Sequence, residues 1–563
     1  MLDIPYGDGN FENIRNENLI YIDKTMYIEK LEQGSDRKKT VYLRPRRFGK
    51  SLFTSMLTCY YSVDMKDKFE NLFKGLYIYD NPTKNKNNYY VLNFDFSGMT
   101  IMDGNVVEEG KRAFYSSVEL SIREFINRYK LPIEIKGATA SELLANLLVD
   151  FKGLYLENKI YIIVDEYDNF TNAILKGDAK DFLDLVNRNG YVRAFYEVIK
   201  TKLQEGVVER FFATGVMPVT LDNLTSGFNI ATNLSTDLDF TSMIGFTHDE
   251  VKDLLQKIVP EEDRDKVFKD LEENYDGYRF SPMSNEKTFN STLVLYYLKN
   301  YIRLKQPPEK LIDVNLNTSG DKIKRITELV NSKLNISVIQ ELLLKNEVSA
   351  ILQDVVLLEK FNKNTYLTML FYLGYLTIKE HIGKTILTIP NYAMATVYAE
   401  YFAGYLEEKT NYEIDTTRIE DAIEVLGESG NIMPIVQLVQ EFLRYASNRD
   451  MENFDEKNLK YVFTLFLQLS RQYIVYGEFP ANQGFVDIFV AKSSSSMAKY
   501  ESVIELKYMP KKEGKRANKK KLVTSAKEQL EYYIKDKRLE QRENLKKYAI
   551  IFSGFEDVLV EEV

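Results

Sequence analysis

One cysteine, two histidines and no tryptophan occur in a chain of 563 residues. Cys59 alone can close no internal disulfide, and with only His248 and His381 there is no Cys/His zinc cluster to assemble. Catalysis through a His-centred triad is disfavoured for the same reason. A catalytic metal must then be held by carboxylates, which favours Mg²⁺ or Mn²⁺. Long apolar runs are also missing: none approaches the roughly 20 residues that span a bilayer. The opening Met1-Leu-Asp-Ile-Pro-Tyr-Gly-Asp8 has neither a basic nor an apolar leader region. The expectation is a cytoplasmic protein with no membrane contact. A net charge of −9 withholds the bulk positive potential that would coat a chain with nucleic acid, so basic residues would have to be clustered to bind it.

An apolar share of 44% with 13% aromatic residues is ample for packed cores, and the length suits about three or four domains. The most informative stretch is Val41-Tyr-Leu-Arg-Pro-Arg-Arg-Phe-Gly-Lys-Ser51, in which a short apolar strand runs into Gly49-Lys50-Ser51 and then a helix. That is the layout of a phosphate-binding loop. Its backbone N–H groups, from Arg46 to Leu52, and the helix N-terminus would cradle the phosphates of ATP. Lys50 would reach the β- and γ-oxygens, and Ser51 would ligate Mg²⁺. The usual spacing asks for glycine at position 44, where this chain has Arg44, so the turn into the loop falls to Pro45 and its neighbours.

A second segment supports the first. Lys159-Ile-Tyr-Ile-Ile-Val-Asp-Glu-Tyr-Asp168 is an apolar run ended by two carboxylates, the signature of a central parallel strand. Carboxylates at its C-terminal end sit where ligands bind in open α/β sheets. Asp165 would hold the Mg²⁺ shell, and Glu166 would orient and deprotonate the attacking water. Strands are expected at Thr40 to Leu43, Tyr89 to Phe96, Ile160 to Val164, Arg210 to Gly215 and Thr241 to Gly245, in a parallel doubly wound sheet. Thr214 ends the fourth, either as a sensor of the γ-phosphate or as a plain strand-capping residue. Arg193 and Arg279 are candidate arginine fingers.

Near the C-terminus, Gly484-Phe-Val-Asp-Ile-Phe-Val490 and Tyr500-Glu-Ser-Val-Ile-Glu-Leu-Lys-Tyr508 read as a hairpin. Side chains alternate across a strand, so Glu505 and Lys507 share a face, and Asp487 on the preceding strand can reach it. Two carboxylates and a lysine are the minimum equipment for metal-dependent phosphodiester hydrolysis: Asp487 and Glu505 as ligands, Lys507 to position water and offset charge. A basic loop follows at Lys511 to Lys521, with seven basic residues against one acidic, as a candidate nucleic-acid contact or a solvated loop. A helix from Thr524 to Lys535, carrying Gln529, and a strand from Tyr548 to Phe552 close the module.

These residues carry a family resemblance. Tyr21-Ile-Asp-Lys-Thr25, Leu43-Arg-Pro-Arg-Arg-Phe-Gly-Lys-Ser-Leu52, Ile163-Val-Asp-Glu-Tyr-Asp168, Ala213-Thr-Gly215 and Tyr275-Asp-Gly-Tyr-Arg-Phe-Ser281 resemble the AAA-ATPase-like family, whose loop also lacks the first glycine. The resemblance implies that Asp23-Lys-Thr25 lies close to the nucleotide. Asp487, Glu505 and Lys507 match the core pattern of PD-(D/E)XK nucleases, and Gln529-x-x-x-Tyr533 resembles a helical motif of some subgroups. Many such nucleases also use an upstream helical acid, for which Glu478 is the candidate substitute.

The expected organisation is an α/β ATPase over 1–245, a mainly helical lid, possible winged helix and connector over 246–470, and a restriction-endonuclease-like α/β module over 471–563. Thr247-His-Asp-Glu-Val251 reads as a capped helix start. Tyr366 to Ile378 followed by Lys384 to Pro390 reads as a helix, a glycine stop and a two-stranded wing, its Tyr and Leu stripe assigned to core. Helical spacing over 410–470 suggests a connector or a homo-oligomer surface. The function expected is an ATPase coupled to a nuclease acting on DNA, in defence, a mobile element or repair. The other reading is an ATP-driven switch or scaffold whose C-terminal module binds nucleic acid or protein without cutting.

Overall fold

Five parallel strands form the N-terminal sheet: β1 (Lys39–Leu43), β2 (Tyr89–Asp95), β3 (Lys159–Asp165), β4 (Val208–Gly215) and β5 (Thr232–Asn233), ordered β2-β3-β4-β1-β5. In this computed structural model the described residues are 3–34, 36–99, 106–169, 190–218, 231–312, 318–329, 331–354, 356, 361–446, 454–510 and 516–563. Strand β3 is interior to the sheet, paired on both edges, and its apolar residues fill both faces: Ile160, Ile162, Ile163 and Val164 are all buried. Each such side chain contributes about 1.5–3 kcal/mol on burial. Helices cover both faces of the sheet. Consequently the ends of β1, β3 and β4 open on one edge, where loop residues collect.

The expected strand at Thr241–Gly245 is not one. The segment is a turn after a 3-10 helix at Leu238–Phe240, and β5 takes the edge position instead. Two groups draw the segment out of the sheet. The buried Arg44 guanidinium donates to Phe240 O and Thr241 O, and Tyr42 Oη donates to Phe240 O. Gly245, at φ +93°, completes the turn where an added Cβ would meet Phe289 O at 3.1 Å.

Beyond the sheet the chain is mainly helical. Thr247 caps the helix His248–Ile258 through a reciprocal capping box with Glu250. The helix Arg264–Tyr275 follows, and the helix Ser291–Leu304 returns toward the phosphate loop. Where a helix and a two-stranded wing were expected, the helix Lys363–Tyr372 is followed by β7 (Thr377–Ile382) and β8 (Lys384–Thr388), and a third strand, β6 (Glu347–Ala350), which precedes the helix, pairs with β8 to give the order β6-β8-β7. Gly374, at φ +84°, leans on the loop, since an added Cβ would lie 2.8 Å from Pro45 Cβ.

The C-terminal sheet is mixed, ordered β13-β12-β11-β10-β9: β9 (Tyr473–Ala481), β10 (Gly484–Lys492), β11 (Glu501–Met509), β12 (Leu545–Ser553) and β13 (Asp557–Glu562). β10 and β11 form the expected hairpin and β12 runs parallel to β11, while the edges β9 and β13 extend the sheet beyond the sequence reading. The helix Glu456–Gln468 lies across β9, β10 and β11. Its flank is tied to the lid by Tyr392 Oη, which donates to Ser470 O at 2.7 Å. Among the described residues, no helix is long and apolar enough to cross a membrane.

Candidate nucleotide and nuclease sites

The phosphate loop is shaped by two left-handed residues, Arg47 at φ +68° and Gly49 at φ +100°. At Gly49 the requirement is conformational, because an added Cβ would find only Ser291 Oγ, at 3.6 Å. Arg44 is not a phosphate ligand. It is 1% exposed, its guanidinium donates to the carbonyls of Leu43, Ser235, Phe240 and Thr241, and it stacks 4.2 Å from the Tyr42 ring centre and 4.0 Å from that of Phe280. The missing glycine is thus replaced by a bolted joint. The far side of the loop is held by the helix Ser291–Leu304, whose Thr292 N–H donates to Arg47 O at 3.2 Å.

Lys50 is buried and its Nζ donates to Arg44 O and Pro45 O, each at 3.1 Å. Burial lowers the pKa of its ammonium, and Glu166, Asp165 and Asp168 oppose that. A cavity of about 380 Å³ opens over the loop. Arg46, Arg47, Phe48, Gly49, Lys50, Ser51 and Leu52 all line it, and Glu166 faces them from the end of β3. Asp165 lies just beside it: it lines an adjoining cavity with Ser51 and Asp95, and its Oδ1 accepts from Glu166 N–H and Thr214 Oγ1. Asp168 points the other way, toward the Val216 and Met217 N–H groups, and burial pushes its carboxyl up to about 6.

Within Asp23-Lys-Thr25 only Lys24 lines the cavity; Asp23 and Thr25 instead hold the Tyr77 and Ile78 N–H groups. One basic residue was missed. Lys322, on the lid helix Thr318–Leu329, has its ammonium brought down to about 7 by burial and by Arg46, with Glu166 opposing and Arg47 and Lys50 adding to the shift. A lysine in a helix without a motif gives no sequence signal. Of the finger candidates, Arg279 donates to the carbonyls of Ser281, Pro282 and Lys379, and Arg193 pairs with Glu197 at 2.8 Å.

The C-terminal cluster follows from the hairpin register. Ile488 faces Ile504, which sets Asp487 beside Glu505 on the polar face. Asp487 Oδ2 accepts from Leu506 N–H at 2.8 Å, and its Oδ1 lies 2.5 Å from Lys460 Nζ. Lys507 Nζ is 2.8 Å from Glu505 Oε1 and 3.9 Å from Glu456 Oε1. Glu456, with Lys460 one turn on, comes from the helix Glu456–Gln468, so it is Glu456 that stands where an upstream helical acid was sought. Glu478 does not: it lies on β9 at φ +46°, 3.8 Å from Lys345.

Burial, and then the Asp487 charge, push the Glu505 carboxyl up to about 7 against the pull of Lys507. Burial raises Asp487 as well, with Lys460 opposing. Glu505 Oε2 is buried with no hydrogen-bond partner. An orphaned carboxylate oxygen next to a second buried carboxylate fits a divalent cation, and an all-oxygen donor set suits Mg²⁺ or Mn²⁺.

Residues 5–225 match a family described as a predicted AAA-ATPase, and residues 454–562 match the PD-(D/E)XK nuclease superfamily. A curated relative, the "uncharacterized protein in vnfD 5′ region" of Azotobacter chroococcum mcd 1, is 26% identical over 312 residues, or 53% of this chain. The match takes in 52% of that protein, so the chain spans about half the length of the relative. Two solved structures are similar at 11% identity: Cdc6p of Pyrobaculum aerophilum, covering 65% of this chain and 88% of that one with a TM-score of 0.24, and the Aeropyrum pernix ORC2 protein, covering 70% and 98% with a TM-score of 0.31.

In the nuclease-superfamily domain, Gln529 sits on the helix Arg516–Tyr533 and its Oε1 is buried without a partner. Tyr533, one turn on, packs against Gly484 at the start of β10, where an added Cβ would come within 2.6 Å of the ring. Of the basic loop, residues 511–515 lie outside the described residues; at its end Lys519 pairs with Asp557 at 2.6 Å. The AAA-ATPase and nuclease-superfamily domains are joined through the lid: the loop between β10 and β11 donates its Ser494 N–H to both carboxylate oxygens of Glu273, at 3.0 Å each.

Proposed function

We propose that the chain is an ATP-hydrolysing protein in which nucleotide state governs a metal-dependent nuclease acting on DNA. The observation that carries the nuclease reading is the unpartnered Glu505 oxygen beside Asp487, with Lys507 within hydrogen-bond reach. In the ATPase, Arg46 to Leu52 would cradle the phosphates, Lys50 would neutralise the β- and γ-oxygens, Ser51 and Asp165 would hold Mg²⁺, and Glu166 would take the proton of the attacking water. Thr214 orients Asp165 rather than touching phosphate directly. Lys322, when protonated, would add positive charge from the lid side.

In the nuclease, Asp487 and Glu505 would hold Mg²⁺ or Mn²⁺, with Glu456 alongside. A bound ion there supplies charge to the scissile phosphate and acidifies water. Lys507 orients the attacking water and offsets charge that develops on the phosphate, while Glu505 and Glu456 keep its ammonium in place. Lys460 holds Asp487 and must yield it when a cation enters. The module is best taken to begin near residue 454, so that it includes Glu456, rather than at 471. The Lys511 to Lys521 run and a cytoplasmic setting complete the reading, with Gln529 supporting the active face.

The test is incubation of the full chain with circular single-stranded and linear double-stranded DNA in Mg²⁺ or Mn²⁺, with and without ATP, beside Glu166→Gln and Lys507→Ala. Cutting that vanishes in Lys507→Ala and changes with ATP or with Glu166→Gln supports the coupled nuclease. Intact ATP hydrolysis with no cutting under any metal overturns it in favour of a switch or scaffold.

A further inference from the structure

Three side chains outside both sites converge where two lid helices end. His248 opens the helix His248–Ile258, while Glu272 lies in the last turn of the helix Arg264–Tyr275 and Asp276 flanks its end. His248 Nε2 is 3.2 Å from Asp276 Oδ2 and 3.6 Å from Glu272 Oε1, and one donor atom from each residue lies within 4.8 Å of the others. All three line one cavity of about 380 Å³, where Lys287 is the lining cation.

Two further observations separate this cluster from an ordinary acidic surface. The Asp276 side chain is only 7% exposed, and its Oδ1 is buried with no hydrogen-bond partner. A desolvated carboxylate oxygen with nothing to bond is disfavoured unless a proton or a cation completes it. The backbone leaves this carboxylate little freedom to move away. Asp276 O accepts from Asn391 Nδ2 at 2.8 Å, and Gly277, at φ +98°, is pressed so closely on Pro390 O that an added Cβ would lie 2.1 Å from it.

The spacing provides the second observation. Donors arranged tetrahedrally at about 2.0–2.1 Å from Zn²⁺ stand about 3.3–3.4 Å apart, and the two separations from His248 Nε2, 3.2 and 3.6 Å, bracket that edge. One imidazole with two carboxylates is a nitrogen and oxygen set, suited to Zn²⁺ and its first-row neighbours rather than to Mg²⁺ or Ca²⁺.

We propose that His248, Glu272 and Asp276 form a site for one divalent transition-metal ion, with Zn²⁺ the best fit and the fourth position left to water. The ion would staple the start of one lid helix to the end of the next. Its position gives the staple a use. Thr247, beside His248, is held through its N–H by Glu250, which also pairs with Lys24 on the wall of the nucleotide cavity. Glu273, beside Glu272, grips the Ser494 loop of the nuclease hairpin. The metal thus sits midway along a chain of contacts that links the two modules.

The test uses the full chain, stripped with chelator and dialysed against Zn²⁺ without nucleotide, in a Glu505→Gln background that removes a ligand of the C-terminal site. Zinc content and X-ray absorption are read together. The expected result is one Zn²⁺ per chain with one imidazole donor that persists in His381→Ala. Glu272→Gln, a change at a half-exposed residue that the fold tolerates, weakens zinc binding by more than about tenfold, and His248→Ala abolishes the imidazole signal. Oxygen-only coordination, or a zinc affinity that Glu272→Gln leaves unchanged, overturns the proposal.

Discussion

Glu505 makes cation binding in the C-terminal site depend steeply on pH near neutrality. Burial and the Asp487 charge hold its carboxyl up at about 7, against an ordinary 4.5. A carboxylate ligand must be ionised, so protons and cations compete for it. As pH falls through about 7 the folded chain takes up the proton and loses the ligand. With one titration centred there, the ionised fraction climbs from about one in eleven at about pH 6 to about ten in eleven at about pH 8, which tightens binding about tenfold, or about 1.4 kcal/mol. A glutamate with an ordinary pKa would be ionised throughout that window and give no change. The same linkage sets the sign for the metal-free fold: a folded-state pKa above the unfolded one means that stability falls as pH rises from about 4.5 to about 7. The assay is Mn²⁺ binding to the nucleotide-free chain, followed by the paramagnetic signal of the free ion, in wild type and Glu505→Gln. The component that Glu505→Gln removes should tighten about tenfold over the two pH units, and a flat affinity would refute the reasoning.

Arg44→Gly, which inserts the glycine that the usual loop spacing calls for, should destabilise the ATPase module by on the order of 3 kcal/mol, because four buried carbonyls lose the guanidinium and, of these, Phe240 O keeps the Tyr42 hydroxyl. A lower melting temperature with no gain in ATP affinity is expected, and equal stability would argue against the joint. Glu456→Gln should slow DNA cutting by at least about 100-fold, whereas Glu478→Gln leaves the rate unchanged; equal effects would remove Glu456 from the site. Gly374→Ala should cost about 1–2 kcal/mol and raise KM for ATP by displacing Pro45, as read from melting curves and steady-state ATPase rates.

Four of the five ATPase strands were legible because their apolar runs are too short for a buried helix and end in turn or loop residues. The fifth was misread at Thr241 to Gly245, where Met243 and Ile244 look like strand residues. What decides there is non-local: a guanidinium almost 200 residues earlier takes the carbonyls that a ladder would need. In the C-terminal module the pair Glu505 and Lys507 is visible from strand alternation alone, and Asp487 from the hairpin. Glu456 was hidden because Glu456 and Lys460, one helical turn apart, look like a solvated ion pair until the helix is laid across the sheet. The placement of Lys322 near Arg46, Arg47 and Glu166 likewise depends on how its helix docks, which no spacing in the sequence encodes.

The Arg44 joint also constrains how the chain can change. Its side chain spans three stretches of backbone, at Leu43, Ser235 and Phe240 to Thr241, and lies between the rings of Tyr42 and Phe280. No single replacement can satisfy all of those partners, and no replacement of a partner leaves the arginine content. These positions should therefore substitute together or not at all. A drift toward a glycine-led loop would have to pass through an intermediate worse than either end.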